Sequence, residues 1–189
     1  QMCIRDRCIY TAAIAESNPE LQEVKRQGIP TMSRAELLGR IMKNYKEAIN
    51  VSGTHGKTTT TSMIGEILLE AQMDPTITVG GMMKDIGGNL RVGKSDVFLA
   101  EACEYTNSFL SFFPTIEVVL NVEADHLDFF KDINEIRQSF RKFIEKLPEN
   151  GILVFNKDIP HSEYFLENLP GRKIITFGHS NADYTANFI

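Results

Sequence analysis

The sequence has no tryptophan and only three cysteines in 189 residues. Cys3, Cys8 and Cys103 are odd in number and show no C-x-x-C spacing, so they announce neither a disulfide framework nor a zinc cluster. A reducing compartment, the cytoplasm, is the expectation. There is no excess of basic charge either: 20 Lys and Arg stand against 25 Asp and Glu, a formal net charge of −5. That balance argues against a nucleic-acid surface as the main business of the chain, while leaving room for a local phosphate site. No apolar run approaches the ~18 to 20 residues of a membrane span, and no secretory pattern heads the chain. Internal repeats and low-complexity segments are absent as well. Hydrophobic residues at 42% and charged residues at 24% describe an ordinary folded protein. The length suits one domain, or one domain with part of another.

What is present is concentrated in one stretch, Val51-Ser52-Gly53-Thr54-His55-Gly56-Lys57-Thr58-Thr59-Thr60-Thr61. A short apolar run, Ala48 to Val51, leads into it. Met63, Ile64, Ile67, Leu68 and Ala71 follow at helical spacing, giving strand, turn and helix. Gly53 and Gly56 let backbone N–H groups converge on a polyphosphate, and the helix start adds its positive dipole end. Lys57 would reach the outer phosphates and Thr58 would offer a hydroxyl to magnesium. Measured against G-x-x-x-x-G-K-[ST], the first glycine is replaced by Val51, so the turn is a short version of that cradle.

The rest of the chain supplies a scaffold. Cys8 to Ile14 reads as a short strand. Asn18 and Pro19 start a helix to about Gln27, Ile29 to Met32 is extended, and Ser33 with Glu36 forms a capping box for a helix bearing Leu37, Leu38, Ile41 and Met42. Further strands are expected at Thr76 to Val79, Val97 to Ala100, Glu117 to Val122, Ile152 to Phe155 and Ile174 to Phe177. They are apolar on both faces, which predicts a largely parallel α/β sheet covered by helices. Gly80-Gly81 and Gly87-Gly88 bracket either a substrate-facing loop or a hairpin. Asp132 and Glu135 suggest a second capping box, before a helix whose stripe of Ile136, Phe140, Phe143, Ile144 and Leu147 is core.

Two acidic clusters fall at strand ends: Glu101-Ala102-Cys103-Glu104, and Glu123-Ala124-Asp125-His126-Leu127-Asp128. In an open parallel sheet the carboxyl ends of the strands share one edge where ligands bind, so the phosphate turn, Glu101 and His126 are expected to meet there. Thr58 and Glu101 offer magnesium the oxygen ligands it prefers. A second ion would draw on His126, with Asp125 or Asp128 nearby. Cys103 has no cationic neighbour in sequence and reads as a packing or adjacent residue rather than a nucleophile.

Together, Gly53-Thr54-His55-Gly56-Lys57-Thr58-Thr59-Thr60, Glu101 to Leu110 and Asn121 to Asp128 resemble the motifs of the Mur ligase family of cell-wall synthesis. The resemblance covers residues 8 to 189. It implies a P-loop-type central domain over 47–189, preceded over 8–46 by the end of a Rossmann-like UDP-binding domain; residues 1–7, without periodicity and leading into nothing, read as a non-native scar. It further implies ATP and Mg2+ as cofactors, with Gly53, Thr54, His55, Gly56, Lys57, Thr58 and Thr59 around the nucleotide. Lys57 would contact the β- and γ-phosphates, Thr58 and Glu101 would hold one ion, and His126 would help hold a second. The activity implied is amide-bond formation between UDP-N-acetylmuramate and L-alanine through an acyl phosphate, with Lys57, Glu101 and His126 as catalytic residues. Neither nucleic acid nor membrane is an expected partner.

Cys103 stands where the family often has Asp, and Phe140-Arg141-Lys142 where several members carry a carbamylated lysine. A glycine-rich nucleotide-sugar loop and a carboxy-terminal domain are missing from these residues, so the expectation is a fragment that cannot complete the reaction. From the residues alone, another P-loop phosphotransferase, such as a small-molecule kinase, and a non-catalytic nucleotide-binding module remain open.

Overall fold

The structure, a computed structural model, describes residues 7–186. The expected scar therefore lies outside the described residues except for Arg7.

The first elements form a small parallel pair, β1 (Cys8–Tyr10) and β2 (Thr31–Ser33), joined through α1 (Pro19–Arg26) and followed by α2 (Arg34–Met42). Their boundaries follow from side chains. The Asn18 carboxamide accepts from the N–H groups of Glu20 and Leu21 ahead of α1. At α2 the Ser33 hydroxyl accepts from Glu36 N–H while the Glu36 carboxylate accepts from Ser33 N–H at 2.7 Å, a complete capping box. β1 is shorter than expected. The Thr11 hydroxyl accepts from Ala13 N–H and Thr11 C=O from Ile14 N–H, so a local turn ends the strand at Tyr10.

The remainder is an eight-stranded sheet built from β3 (Glu47–Ser52), β4 (Thr76–Met83), β5 (Gly88–Arg91), β6 (Val97–Ala102), β7 (Ile116–Val119), β8 (Ile152–Asn156), β9 (Lys173–Gly178) and β10 (Tyr184–Thr185). The spatial order is β10-β9-β8-β7-β3-β6-β4-β5, and every pairing is parallel except β4 with β5. The chain leaves β3 toward one side to build β4 and β6, then returns to the other side for β7. β3 is thus the point where the direction of winding reverses, and register aligns its last residue, Ser52, with Ala102 and Val119. Whatever follows those three residues is forced together.

Three helices connect the sheet: α3 (Lys57–Glu70), α4 (Ile133–Ile144) and α5 (Ser162–Leu166). On one face α4 buries Ile136, Phe140, Phe143 and Ile144 against Phe98, Val119 and Phe155. Phe109 stacks on Phe143 at 4.5 Å between centroids and meets Phe140 edge-on at 5.3 Å. The other face buries Val51, Ile77 and Leu99, with Ile64 and Leu68 of α3 packed on them. Not all of the expected α3 stripe is core: Met63 and Ile67 are exposed, and the helix approaches the sheet through Thr61 and Gly65. A Cβ on Gly65 would lie 3.0 Å from Met83 Cε, so a larger residue there would push the end of that methionine aside.

Three expectations are corrected. β4 continues through Gly80 and Gly81, where its pairing with β5 shifts register between Thr78 and Met83, and after a 3-10 turn ending at Gly87, φ +62°, the chain returns antiparallel as β5: the hairpin reading holds, with the first glycine pair inside the strand. β7 stops at Val119: one last ladder bond runs from Leu120 N–H to Ser52 C=O, and then Asn121 turns to engage His55 and Thr54 in the segment after β3. At α4 the Asp132 carboxylate accepts from Asn134 and Glu135, but Glu135 returns to Lys131 N–H rather than Asp132 N–H, moving the box out by one residue.

One buried group is costly. Glu117 of β7 is fully buried beside Asn50 of β3, and neither its carboxylate oxygens nor Asn50 Oδ1 has a hydrogen-bond partner. Burial pushes the Glu117 carboxyl well above the usual carboxylate range, and the nearby Ser52 hydroxyl, which donates to Val118 C=O at 3.2 Å rather than to Glu117, opposes this only by its proximity. The folded state therefore holds a proton that the unfolded chain releases near pH ~4.3, and stability falls as pH rises above that value until the folded group itself titrates. Glu117→Gln removes this loss. Denaturant titrations should find the variant more stable than the parent at pH 8, with the difference shrinking toward zero near pH 4.5.

Candidate nucleotide-binding site

Three chain segments converge beyond the carboxyl ends of β3, β6 and β7. The first is the turn 53–56 and the start of α3. Gly53 has φ +147°, and a Cβ there would sit 3.0 Å from Leu120 Cβ and 3.2 Å from Asn121 N. Gly56, φ +81°, precedes the first helical residue and leaves the end of α3 without a side-chain cap. The opening N–H groups of a long helix thus face the turn, an arrangement suited to anions.

The turn is clamped from β7. Asn121 Oδ1 accepts from His55 N–H at 2.7 Å, Asn121 Nδ2 donates to His55 C=O at 3.0 Å, and Asn121 C=O accepts from Thr54 N–H at 3.2 Å. The Thr54 hydroxyl, buried, accepts from Glu123 N–H at 2.9 Å. His55 and Thr59 themselves point outward to solvent.

The second segment is the end of β6. Thr58 Oγ1 donates to the Glu101 carboxylate at 2.9 and 3.1 Å, and Gly80 N–H donates to Glu101 Oε2 at 2.7 Å. A Cβ on Gly80 would fall 2.8 Å from that oxygen, so this glycine allows β4 to approach. Three residues beyond Glu101, Glu104 is 2% exposed and receives the Lys57 ammonium at 2.9 and 3.2 Å. Lys57 Nζ also donates to Gly53 C=O at 2.5 Å and Thr54 C=O at 3.1 Å.

The third segment carries His126, in the left-handed region at φ +52°, its N–H held by Asp125 Oδ1 at 2.7 Å. Its ring lies 4.7 Å from that of Tyr105, whose hydroxyl donates to Asp128. Nε2 of His126 is 3.8 Å from Glu104 Oε1. His126 therefore meets the phosphate lysine through Glu104. Asp125 and Asp128, the two carboxylates nearest to it in sequence, are engaged within their own surroundings.

These three segments place a glycine turn, a lysine on a buried glutamate and a threonine on a strand-end glutamate at one sheet edge. Residues 51–189 match the Mur ligase middle domain, and residues 2–46 match the catalytic domain of the Mur ligase family. This chain belongs to the Mur ligase family. Among curated relatives, the UDP-N-acetylmuramate–L-alanine ligase of Lachnospira eligens is 60% identical over 177 residues, 94% of this chain and 38% of that protein. Among solved structures, the UDP-N-acetylmuramate-alanine ligase of Thermotoga maritima is 28% identical with a TM-score of 0.79, over 95% of this chain and 40% of that one. The UDP-N-acetylmuramate:L-alanyl-gamma-D-glutamyl-meso-diaminopimelate ligase of Neisseria meningitides is 26% identical with a TM-score of 0.80, over 89% and 58%.

Within this Mur ligase chain the donor set fits magnesium in kind. Among the described residues no group of three or more His, Cys, Asp or Glu forms a ready cation cage. Thr58 and Glu101 instead present a hydroxyl and a carboxylate in contact, hard oxygen donors of the sort Mg2+ uses when phosphate and water complete its shell. Solvent reaches Cys103, yet desolvation of its thiol, with Glu104 adding repulsion, raises its pKa, so it stays protonated near neutrality.

Two shallow surface hollows, one lined by Cys8, Val24 and Pro30 and the other by Arg137, His161 and Tyr164, lie away from the cradle. A turn that binds through backbone N–H groups needs no deep cavity. Glu104 and Asn121 stand inside motifs quoted from the sequence, and Gly80 in its possible substrate-facing loop, but none of the three was given a role at the site. For Glu104 the signal was present: a second acid just past the end of β6, at the same edge as Glu101. Asn121 carries one checkable consequence. Asn121→Ala strips His55 N–H of its acceptor, and amide hydrogen exchange at His55 should quicken about tenfold while β3 amides keep their protection.

Proposed function

We propose that this chain carries the ATP-binding part of an amide-bond-forming ligase that joins L-alanine to UDP-N-acetylmuramate in peptidoglycan synthesis. The observation that supports it best is the paired arrangement of Lys57 and Thr58 on successive residues, each facing its own glutamate at one sheet edge. The chain spans 38% of the Lachnospira eligens relative, so the complete reaction belongs to the intact protein rather than to these 189 residues. In this reading residues 8–46 close a UDP-binding unit and 47–189 form the nucleotide unit. The cytoplasm, where ATP and the UDP-sugar meet, is its place.

The backbone N–H groups around Gly53 to Thr59 hold the triphosphate, and Lys57, held at the mouth of the turn, contacts the β- and γ-phosphates. Thr58 and Glu101 would hold one magnesium ion, and His126 would help to hold a second. When bound, the ions supply charge neutralisation at the transferring phosphoryl group. The lactyl carboxylate of the UDP-sugar attacks the γ-phosphorus, the bond to the β-γ bridging oxygen breaks, and ADP leaves. The amine of L-alanine then attacks the acyl carbon, phosphate departs and the amine proton goes to solvent. Orientation and fixed charge at Lys57 and Glu101 carry the catalysis, and no protein nucleophile is needed.

The intact protein should release ADP and inorganic phosphate only when UDP-N-acetylmuramate and L-alanine are both present, as followed by a coupled phosphate assay. Release that ignores either substrate contradicts the ligase. Phosphate retained on an acceptor would favour a small-molecule kinase, and nucleotide binding with no turnover a non-catalytic module.

A further inference from the structure

Glu104 is the one buried acid at the site that this reaction leaves without a role. Its side chain is 3% exposed and that of its partner Lys57 is 12% exposed. An ionised carboxylate at that depth needs a counter-charge, and Lys57 supplies it in a two-oxygen contact. An ammonium has three N–H groups. Here they serve Gly53 C=O, Thr54 C=O and Glu104, so every donor of Lys57 is engaged inside the protein. Two of those acceptors are backbone atoms of the turn itself. Glu104 is the only side chain among them and the only one carrying charge.

We propose that Glu104 is a positioning residue that fixes the Lys57 ammonium at the mouth of the turn and offsets its charge, weakening ground-state binding of a triphosphate in exchange for a fixed lysine during phosphoryl transfer. The inference rests on the ATP-binding reading above. The physics has two parts. A phosphate oxygen must compete with a buried carboxylate for the lysine N–H groups, and the carboxylate repels the incoming anion, so affinity is lower than a lone lysine would give. The same carboxylate restricts the lysine's four-carbon stem, so the ammonium does not follow the ground-state anion. Interactions that are stronger in the transition state than in the ground state raise kcat. Because Oε1 also lies 3.8 Å from His126 Nε2, one carboxylate sets the spacing between the phosphate lysine and the histidine loop.

Glu104→Gln keeps the shape and one acceptor oxygen while removing the charge. In the intact protein, binding of a fluorescent ATP analogue should tighten about tenfold, KM for ATP should fall, and kcat should fall about tenfold or more. Glu104→Asp keeps the charge but withdraws it by one methylene; kcat should fall with no tightening of ATP binding. A merely structural glutamate would lower the melting temperature of both variants and shift KM and kcat without this opposite split. Weaker ATP binding by Glu104→Gln, or unchanged kinetics in both variants, overturns the proposal. Should Glu104→Gln not fold, Glu104→Asp decides, since unchanged kcat there contradicts the positioning role. Failure of the parent protein to bind the ATP analogue would instead refute the ATP-binding reading.

Discussion

The candidate site is organised by the need to neutralise charge out of reach of water. Glu104 lies at the edge of the core with almost no exposed surface, and an unpaired carboxylate there would cost several kcal/mol. Lys57 meets that need, and in doing so is brought back over the turn that precedes it, onto the carbonyls of Gly53 and Thr54. The conformation of the cradle and the pairing of its lysine are therefore one constraint. Next to it, Thr58 and Glu101 form a second contact of hydroxyl on carboxylate, stiffened by Gly80 N–H.

The sheet supplies the geometry that makes such pairing possible. β3 sits between β6 and β7 in parallel register, so the residues after Ser52, Ala102 and Val119 leave from one line. The turn, the acidic segment and the Asn121 to His126 stretch have little freedom to be elsewhere. Asn121 then reads the backbone of His55 with both ends of its amide, and Gly53 permits the contact because it lacks a Cβ that Leu120 and Asn121 would block. On the far side of the sheet, Phe109 binds the segment after Glu104 to α4 through Phe140 and Phe143, anchoring the acidic segment to the largest apolar cluster.

Much of this was legible in the residues where the cause is local. Asn18 before Pro19, and Ser33 three residues before Glu36, cap their helices as hydrogen-bond chemistry requires. The parallel sheet followed from strands apolar on both faces, and the meeting of Thr58 with Glu101 from two strand ends at a shared edge. What was missed depends on tertiary neighbours. Gly80 and Gly81 resemble loop residues until Glu101 is seen to need the N–H of one of them. Met63 and Ile67 have helical spacing, yet Thr61 and Gly65 face the sheet because close approach favoured small residues. Glu104 looked like one more acid in a cluster, and its burial against Lys57 depends on the turn after β3, which no local feature of β6 announces. Glu117, buried without a partner, breaks the expectation for a core strand, and no local feature of β7 foretells it.

The central claim is that this edge of the sheet binds a magnesium-complexed triphosphate, with Thr58 and Glu101 on the ion. Its most direct measurement is ATP affinity of the intact protein and its Thr58→Val variant, each with and without Mg2+. The account predicts that the variant loses about tenfold or more in affinity with Mg2+ and little without it, because the substitution keeps the shape and removes only the hydroxyl. Equal affinities for parent and variant with Mg2+ present would contradict it.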